Sequence, residues 1–188
     1  SVYCKMGYTY RVFANNVCGN PIVSWSDTAA IKAQGISDKQ ISNVIRATVV
    51  DDQSVWVEWT IPEIGSGYVD YYQILRSNDG TDFMPIGMVP EGVNGLNDES
   101  VDVFNERYFY KIQVVNGCQE TNVAGTQGTS ILLKSTKISE NQGSLEWTPY
   151  KGWKDGVDYY EIQVLNEFNQ WETIKIVKGS ILQTIVGF

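Results

Sequence analysis

Histidine is absent from the 188 residues of this chain. Its absence excludes Ser-His-Asp and Cys-His catalysis within these residues and removes the commonest zinc ligand. No apolar run approaches the roughly 18 residues that a membrane helix needs, and no stretch resembles a signal peptide. The sequence is therefore poor in the groups that carry chemistry, and we expect neither an enzyme, nor a cofactor, nor a metal site.

Cysteine is scarce, and its count is odd. Cys4 and Cys18 flank a predicted strand at residues 7–15, which would span roughly 30 Å, whereas a disulfide needs Cα atoms within about 7 Å. Cys118 has no candidate partner in its own part of the chain. Either the partners lie in sequence outside these residues, or the cysteines are buried thiols that act as small apolar residues. We expect the second, so cysteine usage does not fix the compartment.

Basic residues are outnumbered, with 14 Lys and Arg against 22 Asp and Glu. Residues 41–128 carry a net charge of −9, while residues 1–40 carry about +2 and residues 129–188 carry −1. An acidic surface repels phosphate backbones, so nucleic-acid binding is not expected. A solvated surface that keeps a secreted protein soluble is favoured over an acidic docking face.

What the sequence does contain is an internal repeat with an offset of 88 residues. Glu58-Trp59-Thr60 returns as Glu146-Trp147-Thr148, and Val69-Asp70-Tyr71-Tyr72-x-Ile74 returns as Val157-Asp158-Tyr159-Tyr160-x-Ile162. A third repeat joins the start of the chain to its middle, since Tyr8-x-Tyr10-Arg11-Val12 matches Tyr108-x-Tyr110-Lys111-Ile112. The chain is therefore a tandem array of one small module.

The repeats predict three segments. Residues 1–40 form the C-terminal part of one module, residues 41–128 a complete module and residues 129–188 the N-terminal part of a third. A short linker at residues 34–42 limits bending between the first two. We expect the chain to be an excerpt from a longer polypeptide.

The complete module has the pattern of short strands separated by turns. Residues 55–61 alternate strictly between apolar and other side chains, which is typical of a half-buried strand. Asp79-Gly80 between two apolar runs predicts a hairpin. No segment of ten or more residues has a helical period. About seven short strands without crossover helices predict an all-β fold, an antiparallel Greek-key sandwich.

These residues resemble fibronectin type III modules. Trp59 and Trp147 alternate with apolar residues on an early strand, and Ile74 and Ile162 follow the Tyr-Tyr pair on the next strand. The resemblance implies that the tryptophans lie in the core and that the first tyrosine of the late motif makes a tyrosine corner. The predicted structural core is therefore Trp59, Trp147, Tyr8, Tyr108, Ile74 and Ile162.

A narrower resemblance concerns the run from Glu146 to Ile162 and the passage from Asn15 to Ala29. Both are similar to repeats of Bacteroidota gliding-motility-associated cell-surface adhesins. The resemblance implies export by the type IX secretion system, an extracellular location associated with the outer membrane, and contact with secretion or motility machinery. The sorting domain of such proteins is not present in these residues.

Exposed aromatic residues are the best candidates for a ligand site. Alternation sends Trp56 to the outer face, and Trp153 and Trp171 lie on a loop and a later strand. Lone exposed aromatics need no functional explanation, so a convergent patch is the minority hypothesis. The acidic residues Asp98, Glu99 and Asp102 resemble solvated loop acids more than a calcium site.

The function that the sequence predicts is a structural and adhesive stalk whose partners are the other modules of the same polypeptide. Two alternatives remain, a spacer or accessory module of a secreted multidomain enzyme and a ligand-binding pair of modules. The terminal half-modules expose open strand edges. Flanking sequence is the simpler explanation for them, and completion by another chain is the bolder one.

Overall fold

The computed structural model describes residues 7–16, 22–32, 41–63, 69–122 and 124–187, and this part of the chain is all-β. Residues 33–40, where the first module boundary is predicted, lie outside the described residues. No helix with the length and apolarity needed to cross a bilayer occurs in the described part of the chain. The strands, in chain order, are β1 (Gly7–Tyr10), β2 (Phe13–Asn16), β3 (Ile22–Trp25), β4 (Ala29–Lys32), β5 (Val44–Val50), β6 (Ser54–Trp59), β7 (Val69–Ser77), β8 (Met84–Pro90), β9 (Gly95–Asp98), β10 (Phe109–Asn116), β11 (Gly128–Thr129), β12 (Leu133–Ser139), β13 (Gln142–Trp147), β14 (Tyr159–Leu165), β15 (Trp171–Lys178) and β16 (Gln183–Gly187).

Strands β5 to β11 form the complete middle module. They make a three-stranded sheet in the order β5-β6-β9 and a four-stranded sheet in the order β11-β10-β7-β8. Every pairing is antiparallel. Two such sheets packed face to face are a fibronectin type III-like sandwich, which confirms the predicted fold class.

Strand β6 shows how the alternating pattern builds the core. Val55, Val57 and Trp59 are fully buried, because every second side chain of a strand points to the same face. The pattern also predicts Ile61 on the buried face, and this prediction is wrong, since Ile61 is 46% exposed. Strand β6 ends at Trp59, so the alternation no longer applies beyond it, and Pro62 is buried instead.

The predicted Asp-Gly turn connects β7 to β8. Gly80 has a φ of +82°, a conformation that glycine adopts without a steric penalty. The Asp79 carboxylate accepts hydrogen bonds from the Ser77 hydroxyl and from the backbone N–H groups of Thr81 and Asp82. The Ser77 hydroxyl is the largest cause of an Asp79 pKa held below its ordinary value. The Asp79 carboxylate therefore closes the turn with protein donors and is not arranged as a ligand of a calcium-binding loop.

A buried polar network joins the two sheets of the middle module. Asp98 of β9 is 4% exposed and accepts hydrogen bonds from Arg76 of β7 at 2.8 and 3.0 Å. The Tyr110 hydroxyl donates to the same carboxylate at 3.0 Å. Burial, followed by the charge of Asp98, raises the pKa of Tyr110, so the phenol keeps its proton. Because a buried charge is tolerated only when it is paired and hydrogen-bonded, this network favours the observed register of β7, β9 and β10, in which Arg76 and Tyr110 reach Asp98.

The region before β10 contains a tyrosine corner. Tyr108 is 5% exposed, and its hydroxyl accepts a hydrogen bond of 2.8 Å from the backbone N–H of Asp102. A tyrosine that bonds back to the chain a few residues upstream is the feature that the resemblance implied. The Asp102 carboxylate accepts from Phe104 and Asn105, so it organises this loop.

The strands at each end of the chain pair in the way that some strands of the middle module do. At the N-terminal end, β1 pairs with β4 and β2 with β3, which makes an interrupted hairpin. At the C-terminal end, β12, β13 and β16 form one sheet, and β14 pairs with β15 in another. By the 88-residue repeat, these five strands correspond to β5 to β9 of the middle module.

The cysteines correct one expectation. Cys118, in the turn after β10, is disulfide-bonded, so the interpretation of Cys118 as a buried free thiol is wrong. Spacing arguments consider only residues that are close along the chain, whereas a disulfide joins residues that are close in space. Cys4 and Cys18 lie outside the described residues.

Replacing Trp59 by alanine should lower the free energy of unfolding of the middle module by about 3–5 kcal/mol, because it leaves a large cavity between the sheets. Native-state hydrogen exchange of the β10 amides measures this energy for the module alone. Trp171→Ala is the matched control, since Trp171 is 68% exposed. Equal protection of β10 in the two variants would contradict a core role for Trp59.

Candidate functional site

Two aromatic side chains of the third module donate hydrogen bonds to one backbone carbonyl of the middle module. The Trp153 Nε1–H donates to the Ile45 oxygen at 2.8 Å, and the Tyr150 hydroxyl donates to the same oxygen at 3.2 Å. The two aromatic rings are tilted against each other with centroids 4.5 Å apart. Residues 149–153, which follow β13, therefore form a clamp on strand β5. We call these residues the junction clamp.

A β-bulge makes the Ile45 carbonyl available. The pairing of β5 with β6 shifts register between Val44 and Arg46, so Ile45 is the extra residue that the ladder leaves without an opposite partner. A carbonyl outside the ladder can accept from other donors, and at Ile45, which is 41% exposed, these donors come from the next module. The indole and phenol of the junction clamp supply two donors.

Backbone contacts reinforce the junction clamp. The Thr129 N–H donates to the Lys151 oxygen at 3.0 Å, and the Lys151 N–H donates to the Thr129 hydroxyl at 2.9 Å. Arg107 donates through Nη2 to the Pro149 oxygen at 2.7 Å. Thr129 is fully buried, so these bonds exchange little with water. Together they join the last strand of one module to the loop after β13 of the next.

The connection between the two modules is short, and its two end residues are buried whereas Ile131 between them is 38% exposed. Strand β11 ends at Thr129 and β12 begins at Leu133. Ser130 exchanges hydrogen bonds with Tyr108, one through each backbone N–H. Leu132 does the same with Thr148 on the other side. Ser130 and Leu132 are 2% and 8% exposed, so both ends of this linker are fixed.

Gly152 allows the modules to approach this closely, because a Cβ atom there would lie 3.0 Å from the Gln127 oxygen and the Gly128 Cα. Gly128 is needed within the middle module, where a Cβ atom would overlap with Val44. Gly152 also has a φ of +136°, which L side chains rarely adopt. The sequence requirement for this junction is therefore glycine at position 152 and aromatic donors on either side of it.

Burial also shifts the pKa values of two junction residues. It raises the pKa of Tyr150 further above neutral pH, so the phenol remains a donor. Burial lowers the pKa of Arg107, while the nearby Tyr160 opposes that change. An arginine keeps its charge under such a shift because its ordinary pKa is so high, and Arg107 stacks over Phe109 at 4.5 Å.

The residues predicted for the core occupy different environments. Trp59 and Ile74 are fully buried, and Trp59 contacts Tyr72 with ring centroids 5.9 Å apart. Trp147 and Ile162 of the third module are each 7% exposed. Tyr8 is half-buried and stacks on Tyr10, unlike its counterpart Tyr108.

The three tryptophans considered for a ligand patch lie on separate elements. Trp56 is half-buried on β6, and its ring covers Gly95, where a Cβ atom would overlap with it. Trp153 is 52% exposed but bonded to Ile45, and Trp171 begins β15. Among the described residues, no ring contact joins two of them. A shared ligand patch stays a prediction, whereas the role of Trp153 in the junction was not predicted from sequence.

Carboxylates considered as calcium ligands are occupied by protein donors. Asp98 is bonded to Arg76, Tyr110 and Ser100, and Asp102 organises its own loop. Within the described ranges, no group of three or more His, Cys, Asp or Glu could hold a metal ion.

No known protein family and no curated protein matches the chain. Among solved structures, the chain is similar to a β-1,2-glucanase from Parabacteroides distasonis, with 20% identity over 61% of this chain and 16% of that one, at a TM-score of 0.40. It is also similar to the FN1–FN3 domains of chicken CNTN1, with 11% identity, 98% and 65% coverage and a TM-score of 0.39. A two-domain fibronectin type III segment of chicken tenascin has 16% identity, 78% and 80% coverage and a TM-score of 0.36. The chain thus spans 16% of the glucanase and 65% of the CNTN1 segment.

Replacing Trp153 by phenylalanine keeps an aromatic ring in the junction clamp and removes the donor to Ile45. We expect amide exchange at Thr129 and Lys151 to become about 2- to 10-fold faster, the effect of one net hydrogen bond on local opening. NMR-detected hydrogen exchange measures it. Trp171→Phe is the control that changes an exposed indole of the same module. Unchanged exchange at both amides would show that Trp153 does not hold the junction closed.

Proposed function

We propose that this chain is a structural and adhesive stalk segment of a large secreted or cell-surface bacterial protein. The observation that carries the proposal is the junction between residues 41–129 and 130–187. Its three-residue linker is bonded at both ends, and the junction clamp fixes the relative orientation of the two modules through Ile45. Modules of this fold commonly have structural or adhesive roles and are generally non-catalytic.

The mechanism of such a stalk is mechanical. Flexible linkers let modules reorient freely, whereas a linker whose first and last residues are hydrogen-bonded to the two modules must break those bonds before it bends. Each module adds its length to its neighbour and holds a distal binding region away from the cell. The partners in this proposal are the other modules of the same polypeptide.

The disulfide at Cys118 supports an extracellular location, because disulfides persist in oxidising compartments and are rare in the cytosol. The more specific part of the proposal is a gliding-motility-type adhesin that type IX secretion exports to the outer-membrane surface. It rests on the sequence resemblance around residues 146–162. The proposed external partners are the outer-membrane secretion or motility machinery.

Replacing Gly152 by alanine should loosen the junction, because a Cβ atom at this position would push against Gln127 and Gly128. We expect wild-type residues 41–129 and 130–187 to share one rotational correlation time and the variant to show two. Backbone ¹⁵N relaxation measures both. Gly156→Ala is the matched control, since Gly156 also has a positive φ of +79° but nothing within 4 Å of its Cβ position. Independent tumbling in the wild type would contradict a rigid stalk.

The proposed location is tested in the source cells with an antibody raised against the chain. Binding to intact cells, lost when type IX export is blocked, is the expected result. A matched outer-membrane protein that another route inserts should stay accessible in both strains. Antigen that becomes accessible only after permeabilisation would rule out a surface stalk, and surface antigen that persists in the blocked strain would rule out the export route.

A further inference from the structure

Cys118 lies in a turn that hydrogen bonds hold in place. The turn follows β10, which ends at Asn116. The Asn116 side-chain oxygen accepts from the backbone N–H groups of Cys118 and Glu120 at 2.9 and 3.0 Å. Gln119 has a φ of +60°, and its side chain donates to the Asp70 carboxylate at 3.1 Å. A disulfide at Cys118 therefore attaches to a fixed point of the middle module.

The Cys118 turn lies at the end of the middle module that is remote from the third module. The opposite end of β10 follows Arg107, which contacts Pro149 of the third module. The eight residues of β10 place about 26 Å between the two ends. The chain enters the middle module near the Cys118 turn, because Asn43 is bonded to Thr60 in the loop before β7 and the start of β7 pairs with the end of β10.

The partner of Cys118 belongs to the first segment of the chain. Cys118 is disulfide-bonded, and the other two cysteines in the sequence are Cys4 and Cys18. By the repeat between the first segment and the middle module, Cys18 stands at the position of Cys118, and Cys4 stands at the position of Phe104. Phe104 precedes β10 at the end that contacts the third module. The repeat therefore assigns Cys4 to the end of its module that faces the next module, and Cys18 to the opposite end.

We propose that Cys4 and Cys118 form this disulfide, which joins the first segment covalently to the middle module. Strand pairing within the first segment supports the choice. Strand β1 begins at Gly7, which pairs with Lys32 at the end of β4, where the chain leaves the hairpin for the middle module. Cys4 precedes Gly7 by at most about 11 Å of chain. Cys18 follows β2, and strands β1 and β2 extend about 30 Å away from that pairing.

The bond needs an oxidant and an oxidising compartment. When it forms, the two thiols lose two protons and two electrons, and the disulfide of an exchange partner accepts them and becomes a dithiol. Such bonds persist outside the cytosol, which agrees with the extracellular location proposed above. Phe104, at the repeated position of Cys4, cannot make the equivalent bond, so the junction clamp holds the next junction without a disulfide from this position.

The position of the bond determines how tension passes along the chain. Residues 5–117 lie between the two cysteines, so the bond closes them into a loop that contains strands β1 to β10. A pull on the two ends of the chain passes from Cys4 through the sulfur atoms to Cys118 and does not load this loop. If the middle module opens, the loop still cannot extend, although its full length is about 400 Å. The disulfide is thus a mechanical bypass, a property that goes beyond the stalk function and does not depend on it.

Peptide mapping without reduction identifies the partner of Cys118. Trypsin places the three cysteines on separate peptides, since it cleaves after Lys5 and Lys111. The full chain is produced in an oxidising compartment, isolated as the 21.1 kDa monomer and alkylated in denaturant. We expect the Cys4 peptide to be linked to the Cys118 peptide and Cys18 to be alkylated. A link between Cys18 and Cys118, or an alkylated Cys118, would overturn the proposal.

Optical tweezers that pull on both termini test the bypass. The fully extended oxidised chain should be about 400 Å shorter than the same chain in a dithiol reductant. Cys18→Ser is the matched control and should keep this difference, and adding Cys4→Ser to that variant should abolish it. Equal lengths of the oxidised and reduced chains, or loss of the difference in Cys18→Ser alone, would contradict a bypass that begins at Cys4.

Discussion

The burial of β10 between the two sheets is the constraint on which the described structure depends. Tyr110, Ile112 and Val114 are fully buried, and the hydroxyl of Tyr110 reaches Asp98 in the opposite sheet. Burying such side chains is the dominant favourable term in folding, and the Asp98 network converts it into a single register because the charge must be satisfied.

The junction depends on the same strand. Arg107 and Tyr108 precede β10, and they supply the contacts to Pro149 and Ser130. A middle module in which β10 is not packed between the sheets would therefore lose both its tyrosine corner and its hydrogen bonds to the third module. The folding of the middle module and the orientation of the third module are thus coupled through a few residues. For this reason a short linker can restrict bending without a large interface.

The sequence predicts much of this fold because alternation and repetition are local signals. The faces of β6, the turn at Asp79-Gly80 and the all-β class follow from residues close together in the chain. The error at Ile61 arises because a pattern does not show where a strand ends. The bonding of Trp153 to Ile45 was not predicted, since 108 residues separate them and nothing local indicates a bulge in β5. The disulfide of Cys118 was missed for the same reason, because pairing depends on proximity in space.

The acceptor in the junction clamp is a main-chain oxygen, and this has a consequence for how such chains evolve. The hydrogen bonds of Tyr150 and Trp153 end on a main-chain oxygen, so they do not require a particular side chain at position 45. The side-chain requirements of the acceptor module lie instead at Arg107 and Thr129, which contact Pro149 and Lys151. Pro62 and Gly65 stand at the repeated positions of Tyr150 and Trp153, so the sequence does not repeat these two donors in the middle module. The pair of aromatic donors and the bulge carbonyl that they bind is therefore a feature of this one junction among the described residues.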